Sequence, residues 1–119
     1  MRIAVFYDSS YHLRPIPEAE ILAVIDEEQK VVEQYENPAP EMGLEAAIDG
    51  ILVLGAQALI VGEGTLPKEA YEALKGKILF MPTKYKDLYQ ILDNLDEVKG
   101  AATETVSSIE DTGQRSGQG

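Results

Sequence analysis

Gln57-Ala58-Leu59-Ile60-Val61, closed by Gly62-Glu63-Gly64-Thr65 and answered after an intervening helix by Lys77-Ile78-Leu79-Phe80-Met81, is the stretch that decides the architecture. Both apolar runs are short and bounded by turn residues, the pattern of buried strands. Between them, Pro67 near the start and Gly76 just past the end bracket a helix with Ala70, Tyr71 and Leu74 inward. Two neighbouring strands joined by a helix run parallel, because the crossover returns the chain to the end of the sheet from which it left. Pro82 then stops the second strand.

Working outward, residues 2–7 (Arg-Ile-Ala-Val-Phe-Tyr) suit a strand buried on both faces, ended by Asp8-Ser9-Ser10 and a loop punctuated by Pro15 and Pro17. Residues 20–26 and 30–36 are β-rich runs separated by Glu27-Glu28-Gln29, which reads as an antiparallel hairpin stopped at Asn37-Pro38-Ala39-Pro40. Residues 42–55 carry Leu44, Ala47, Ile48, Ile51 and Leu52 at helical spacing, with Gly55 as the C-cap. Thr83 suits the N-cap of a last helix whose stripe is Tyr85, Leu88, Tyr89, Leu92 and Leu95. The order β, β-hairpin, α, β, α, β, α predicts an α/β fold: a mixed five-stranded sheet covered by about three helices.

The chain of 119 residues allows one domain, and its 45% apolar content is enough to fill a core. From residue 99 to 119 the composition turns to Gly, Ser, Thr, Gln and Glu, so a folded domain over residues 1–98 and a disordered tail are expected. There is no cysteine, which excludes disulfides, a thiolate nucleophile and thiolate-held clusters or zinc. Neither a secretory signal nor a run of the ~20 apolar residues needed for a membrane span is evident, so a soluble, cytoplasmic protein with no membrane partner is expected.

The net charge of −11 is concentrated. Residues 18–49 hold ten acids against the single base Lys30, whereas residues 50–99 hold seven acids and six lysines. A field of that sign repels phosphate backbones and argues against nucleic acid as a partner. It suits either a solvated face or a docking surface for a basic protein.

In sheets with parallel strands, ligands gather beyond the carboxyl ends. Three loops are expected there: Asp8-Ser9-Ser10-Tyr11-His12, Gly62-Glu63-Gly64-Thr65 and Pro82-Thr83-Lys84. The pair Gly62 and Gly64 lets backbone amides face a ligand, although it lacks the third glycine of a dinucleotide fingerprint and the lysine of a phosphate loop, and tight-turn geometry explains it equally. Asp8 and Glu63, with Glu45 or Asp49 as a third, form a two-carboxylate pattern that would suit magnesium or manganese and a phosphoryl-transfer or nuclease-like reaction. His12 is the one imidazole, enough for a single axial ligand to a preformed cluster and no more. Met81 reads as core.

The layout resembles the dinitrogenase iron–molybdenum cofactor biosynthesis family. The matching features are Met1-Arg2-Ile3-Ala4-Val5, the hairpin closing on Glu36-Asn37-Pro38, Gly43 near a helix start, Ala58-Leu59-Ile60-Val61-Gly62, and Ala70-Tyr71-Glu72-Ala73-Leu74 before a strand and a last helix. The resemblance runs from residue 1 to about 97. It implies a ribonuclease-H-like fold and the binding or carrying of an iron–sulfur or iron–molybdenum cluster without catalysis. Family members often carry His-Phe-Gly after the first strand; here His12 is followed by Leu13-Arg14. The expected cofactor pocket draws on Ser9, Ser10, His12, Gly62 and Gly64, with His12 as metal ligand.

Overall fold

The computed structural model of the chain describes residues 1–106. Strand β1 (Arg2–Tyr7) is followed by the hairpin β2 (Ile21–Asp26) and β3 (Val31–Glu36), then helices α1 (Ala39–Met42) and α2 (Leu44–Val53). Strand β4 (Ala58–Val61), helix α3 (Lys68–Leu74), strand β5 (Leu79–Pro82) and helices α4 (Leu88–Asp93) and α5 (Leu95–Gly100) complete it. The five strands lie in the order β3-β2-β1-β4-β5. The hairpin pairs antiparallel with β1, while β1, β4 and β5 are parallel, so the sheet is mixed as the sequence predicts.

Alternation along β1 divides the core. Ala4 and Phe6 face Ile48, Ile51, Ala70 and Leu74 on one side of the sheet. Ile3, Val5 and Tyr7 face Leu88, Ile91 and Val98 on the other. Both faces are covered, which is why Ile3 to Tyr7 are all buried and the strand reads as one apolar run.

Three local expectations need correction. The last helix is not capped by Thr83. Asp87 caps it, its carboxylate accepting from the Gln90 amide at 2.9 Å, while Thr83 Oγ1 accepts from the Tyr85 amide at 3.1 Å in a local turn. The reason is long-range: the Leu13 amide donates to the Lys86 carbonyl and the Leu88 amide to the Tyr11 carbonyl, each at 2.9 Å, so residues 86–88 are held against the first loop, with Asp87 in an extended conformation ahead of the helix. Tyr89 is 58% exposed rather than inward, and Ile91 takes the buried position. The helix also breaks at Asn94, giving two short segments, and α1 precedes α2, so about three helices become five.

The domain does not end at residue 98. Helix α5 continues to Gly100, Thr103 and Phe80 exchange two backbone hydrogen bonds at 2.8 Å, and Val106 packs against the core. Two backbone bonds to a buried strand hold this polar segment where its own composition would not. The remainder of the expected tail, from residue 107, lies outside the described residues.

Arg2 ties the strand ends together. Its guanidinium donates to Asp26 at 2.9 Å, to both oxygens of Glu33 at 2.9 and 3.1 Å, and to the Leu54 carbonyl at 2.8 and 3.0 Å. Asp26 is held below the usual carboxylate range first by the Gln29 amide and then by Arg2, and Glu33 chiefly by Arg2. A depressed carboxylate stabilises the fold above its unfolded pKa, and that contribution disappears as pH falls through the folded value. Thermal stability is therefore expected to be flat from about pH 7 to 5 and to fall below roughly pH 4. Arg2→Gln lowers Tm at neutral pH, and the gap from the parent protein narrows as acid protonates Glu33. A gap that stays constant in melting curves down to pH 3 would refute this assignment.

Candidate functional site

The three expected loops do meet at the carboxyl end of the parallel strands. Leu13 lies over Gly62, where an added Cβ would come 3.0 Å from Leu13 Cδ2 and 3.3 Å from Thr65 Cγ2. The same loop pairs with residues 86–88, including a bridge between His12 and Asp87. Gly62 is thus a close-approach position, which explains the glycine without requiring a phosphate.

A groove of about 530 Å³ opens at the ends of β4 and β5. Gly62, Glu63, Thr83 and Lys84 line one part of it, and Tyr85, Glu97 and Ala101 another. Of the predicted residues Gly62 lines this groove; Ser9, Ser10, His12 and Gly64 do not. Tyr85, Glu97 and the 100–101 turn escaped the sequence reading. Helical spacing places Tyr85 in a buried stripe, and nothing local connects it with Glu97. The phenol donates to Glu97 Oε1 at 2.6 Å, and that carboxylate raises the Tyr85 pKa.

The first loop is tied together around Asp8. Its carboxylate accepts from Arg14 Nε at 2.7 Å, from the Ser10 amide at 2.9 Å and from the His12 amide at 3.0 Å. The Arg14 guanidinium and then the His12 amide hold the acid below its ordinary range. Ser9 donates its amide to Glu20 Oε1 at 2.7 Å. Both serines are exposed, and so is the imidazole of His12, whose Nδ1 lies 4.0 Å from Asp8 Oδ1. Tyr11 holds the tight turn with φ at +69°, in the region normally left to glycine, and its ring meets Tyr7 at 5.8 Å and Tyr89 at 5.1 Å.

The two carboxylates of the expected pair each face a cation. Asp8 is committed to Arg14, and Glu63 lies 3.4 Å from Lys86 Nζ. Among the described residues no three of His, Cys, Asp and Glu come together in a geometry that could hold a metal ion, so Glu45 and Asp49 supply no third ligand. The groove offers a ligand the Thr83 hydroxyl and the ammonium of Lys84, which has no carboxylate partner among the described residues, while the exposed imidazole of His12 and the two serines stand on the first loop outside it. No helix among them is long and apolar enough to cross a membrane.

Fold and site together define a small α/β domain with a mixed five-stranded sheet and a groove at the carboxyl end of its parallel strands. Three solved structures share that fold. A NifB-like protein from Thermotoga superposes with a TM-score of 0.65 at 22% identity, over 89% of this chain and 96% of that one. The apo form of the orange protein from Desulfovibrio gigas gives 0.66 at 20% identity, over 89% and 93%. A dinitrogenase-like protein from Methanocaldococcus jannaschii gives 0.64 at 15% identity, over 91% and 96%. No family model and no curated protein matches the chain.

Proposed function

We propose that this chain is a non-enzymatic carrier that holds and hands on a preassembled metal–sulfur cofactor, an iron–sulfur or iron–molybdenum cluster. The observation that carries the reading is the convergence of the loops 8–14, 62–65 and 82–88 at one end of a fold shared with a NifB-like and a dinitrogenase-like protein. The donor set narrows how such a cargo would be held. Without cysteine the chain offers no thiolate, and its only imidazole is His12. A cluster carried here would therefore have to bring its own bridging ligands, with the exposed His12 supplying one imidazole from beside the groove that Gly62 lines, and Ser9, Ser10 and Gly64 standing on the neighbouring loops.

The test is anaerobic titration of the apo-protein with a preformed iron–sulfur or iron–molybdenum cluster. Saturable absorbance changes are expected, and His12→Ala should weaken binding by about tenfold or more, since loss of a residue that only orients a ligand already costs that much. Because the His12 side chain is exposed, this variant is expected to fold normally, which circular dichroism checks. Binding that is unaltered in His12→Ala removes the imidazole from the site; absence of any spectral change removes the carrier reading.

A further inference from the structure

We infer that the outer edge of β3, with the groove beside it, is a docking site for an extended basic segment of a partner protein that adds a sixth strand to the sheet.

The two borders of the sheet are treated differently. At β5 the N–H and C=O of Phe80 are both taken by Thr103, and Pro82, the next residue facing the same way, has no N–H to offer. At β3, among the described residues, no backbone pairs with the outer edge of Val31–Glu36. No proline or bulge interrupts the pairing, which is continuous from Asp26↔Val31 to Ile21↔Glu36. Val31 is 44% and Tyr35 40% exposed. An open edge of this kind is a template for another strand.

A second feature adjoins it. Between the hairpin and the α4–α5 break lies a groove of about 350 Å³, with the apolar Ile25, Val31, Val32, Leu92 and Leu95 along it together with Lys30 and the already paired Asp26 and Glu27. It begins at the first residues of the open edge. A strand laid along β3 would therefore have an apolar slot within reach of one of its side chains. Backbone pairing with a neighbouring side-chain pocket is how strand-addition sites combine affinity with selectivity.

Charge selects the occupant. Of the ten acids in residues 18–49, Asp26, Glu27 and Glu33 have cationic partners, Arg2 and Lys99, leaving seven with none among the described residues. Glu20, Glu28 and Glu36 stand near the ends of the hairpin strands. A second copy of a chain with net charge −11 would bring the same acids face to face, whereas a segment alternating lysine or arginine with apolar residues sets its cations against the unpaired acids at the strand ends and its apolar side chains against the slot.

The probe is a fluorescein-labelled dodecapeptide alternating lysine with valine, with a proline-interrupted peptide of identical charge as control. Anisotropy should show binding to the full chain at least tenfold tighter for the uninterrupted peptide, weakening with salt. Hydrogen exchange should slow at least tenfold at amides within Val31–Glu36. Val31→Lys and Asp49→Asn each change the charge by +1; the first should cost about tenfold in affinity, the second twofold or less. Equal losses in the two variants, equal binding of both peptides, or protection lying elsewhere would each overturn the proposal. So would a concentration-dependent dimer that protects Val31–Glu36 without peptide, since the occupant would then be a second copy.

Discussion

Phe80→Ala is expected to lower the free energy of unfolding by about 4 kcal/mol, from the transfer of a buried phenyl ring and the cavity left behind. Phe80 has no exposed surface, and its ring packs against Tyr71 with centroids 5.2 Å apart. The site cannot collapse cheaply. Its backbone is paired to Leu59 on one side and to Thr103 on the other, so neighbouring atoms have little freedom to close over the void. Phe80→Leu keeps most of the volume and should cost under about 1.5 kcal/mol. Urea unfolding with an unchanged m-value is the measurement, and a loss below about 2 kcal/mol for the alanine variant would mean that the core relaxes in a way this packing does not allow.

The second large effect belongs to Asn37, which is 3% exposed. Its Nδ2 donates to the carbonyls of Ile16 and Ala19, both at 2.8 Å, and its Oδ1 accepts from the Ala39 amide at 3.1 Å. One side chain thus ties the proline-rich loop to the entry of α1. Asn37→Ala leaves two buried carbonyls and an amide without partners, and should cost about 3 kcal/mol. Asn37→Asp should be worse at neutral pH, because a carboxylate would face two carbonyl oxygens with no proton between them. Its folded pKa would then be raised, so protonation on acidification stabilises the folded form relative to neutral pH. The Asp variant should approach the Ala variant in stability as pH falls toward about 4, the ordinary aspartate range. Melting curves of both variants at pH 7 and pH 4.5 check this, and a gap that widens in acid would contradict the hydrogen-bond assignment.

These two residues also show where sequence reading works. The strand containing Phe80 was legible because apolar runs, a proline stop and a glycine after the helix are all local signals. The hairpin was legible for the same reason, and the parallel pairing followed from strand–helix–strand order alone. What escaped is what long-range contacts impose. Thr83 is the better cap by spacing, but the bonds made by Leu13 and Leu88 hold residues 86–88 against the first loop and move the cap to Asp87. Residues 99–106 look like tail by composition, and only the buried strand they pair with keeps them in place. At the site, the topological rule located the loops and Gly62. It had no means of finding Tyr85 with Glu97, twelve residues apart, or of telling that the carboxylate of Asp8 is already occupied by Arg14.

The pairing of Thr103 with Phe80 has a consequence for solubility at high concentration. Filaments and amyloid-like stacks grow because every added copy exposes a fresh edge identical to the one it covered. Here the two borders of the sheet are not equivalent, since one is already closed by the chain's own backbone and by a proline. Association through the remaining border consumes it, so growth by strand addition terminates after a single step and cannot propagate into a fibre.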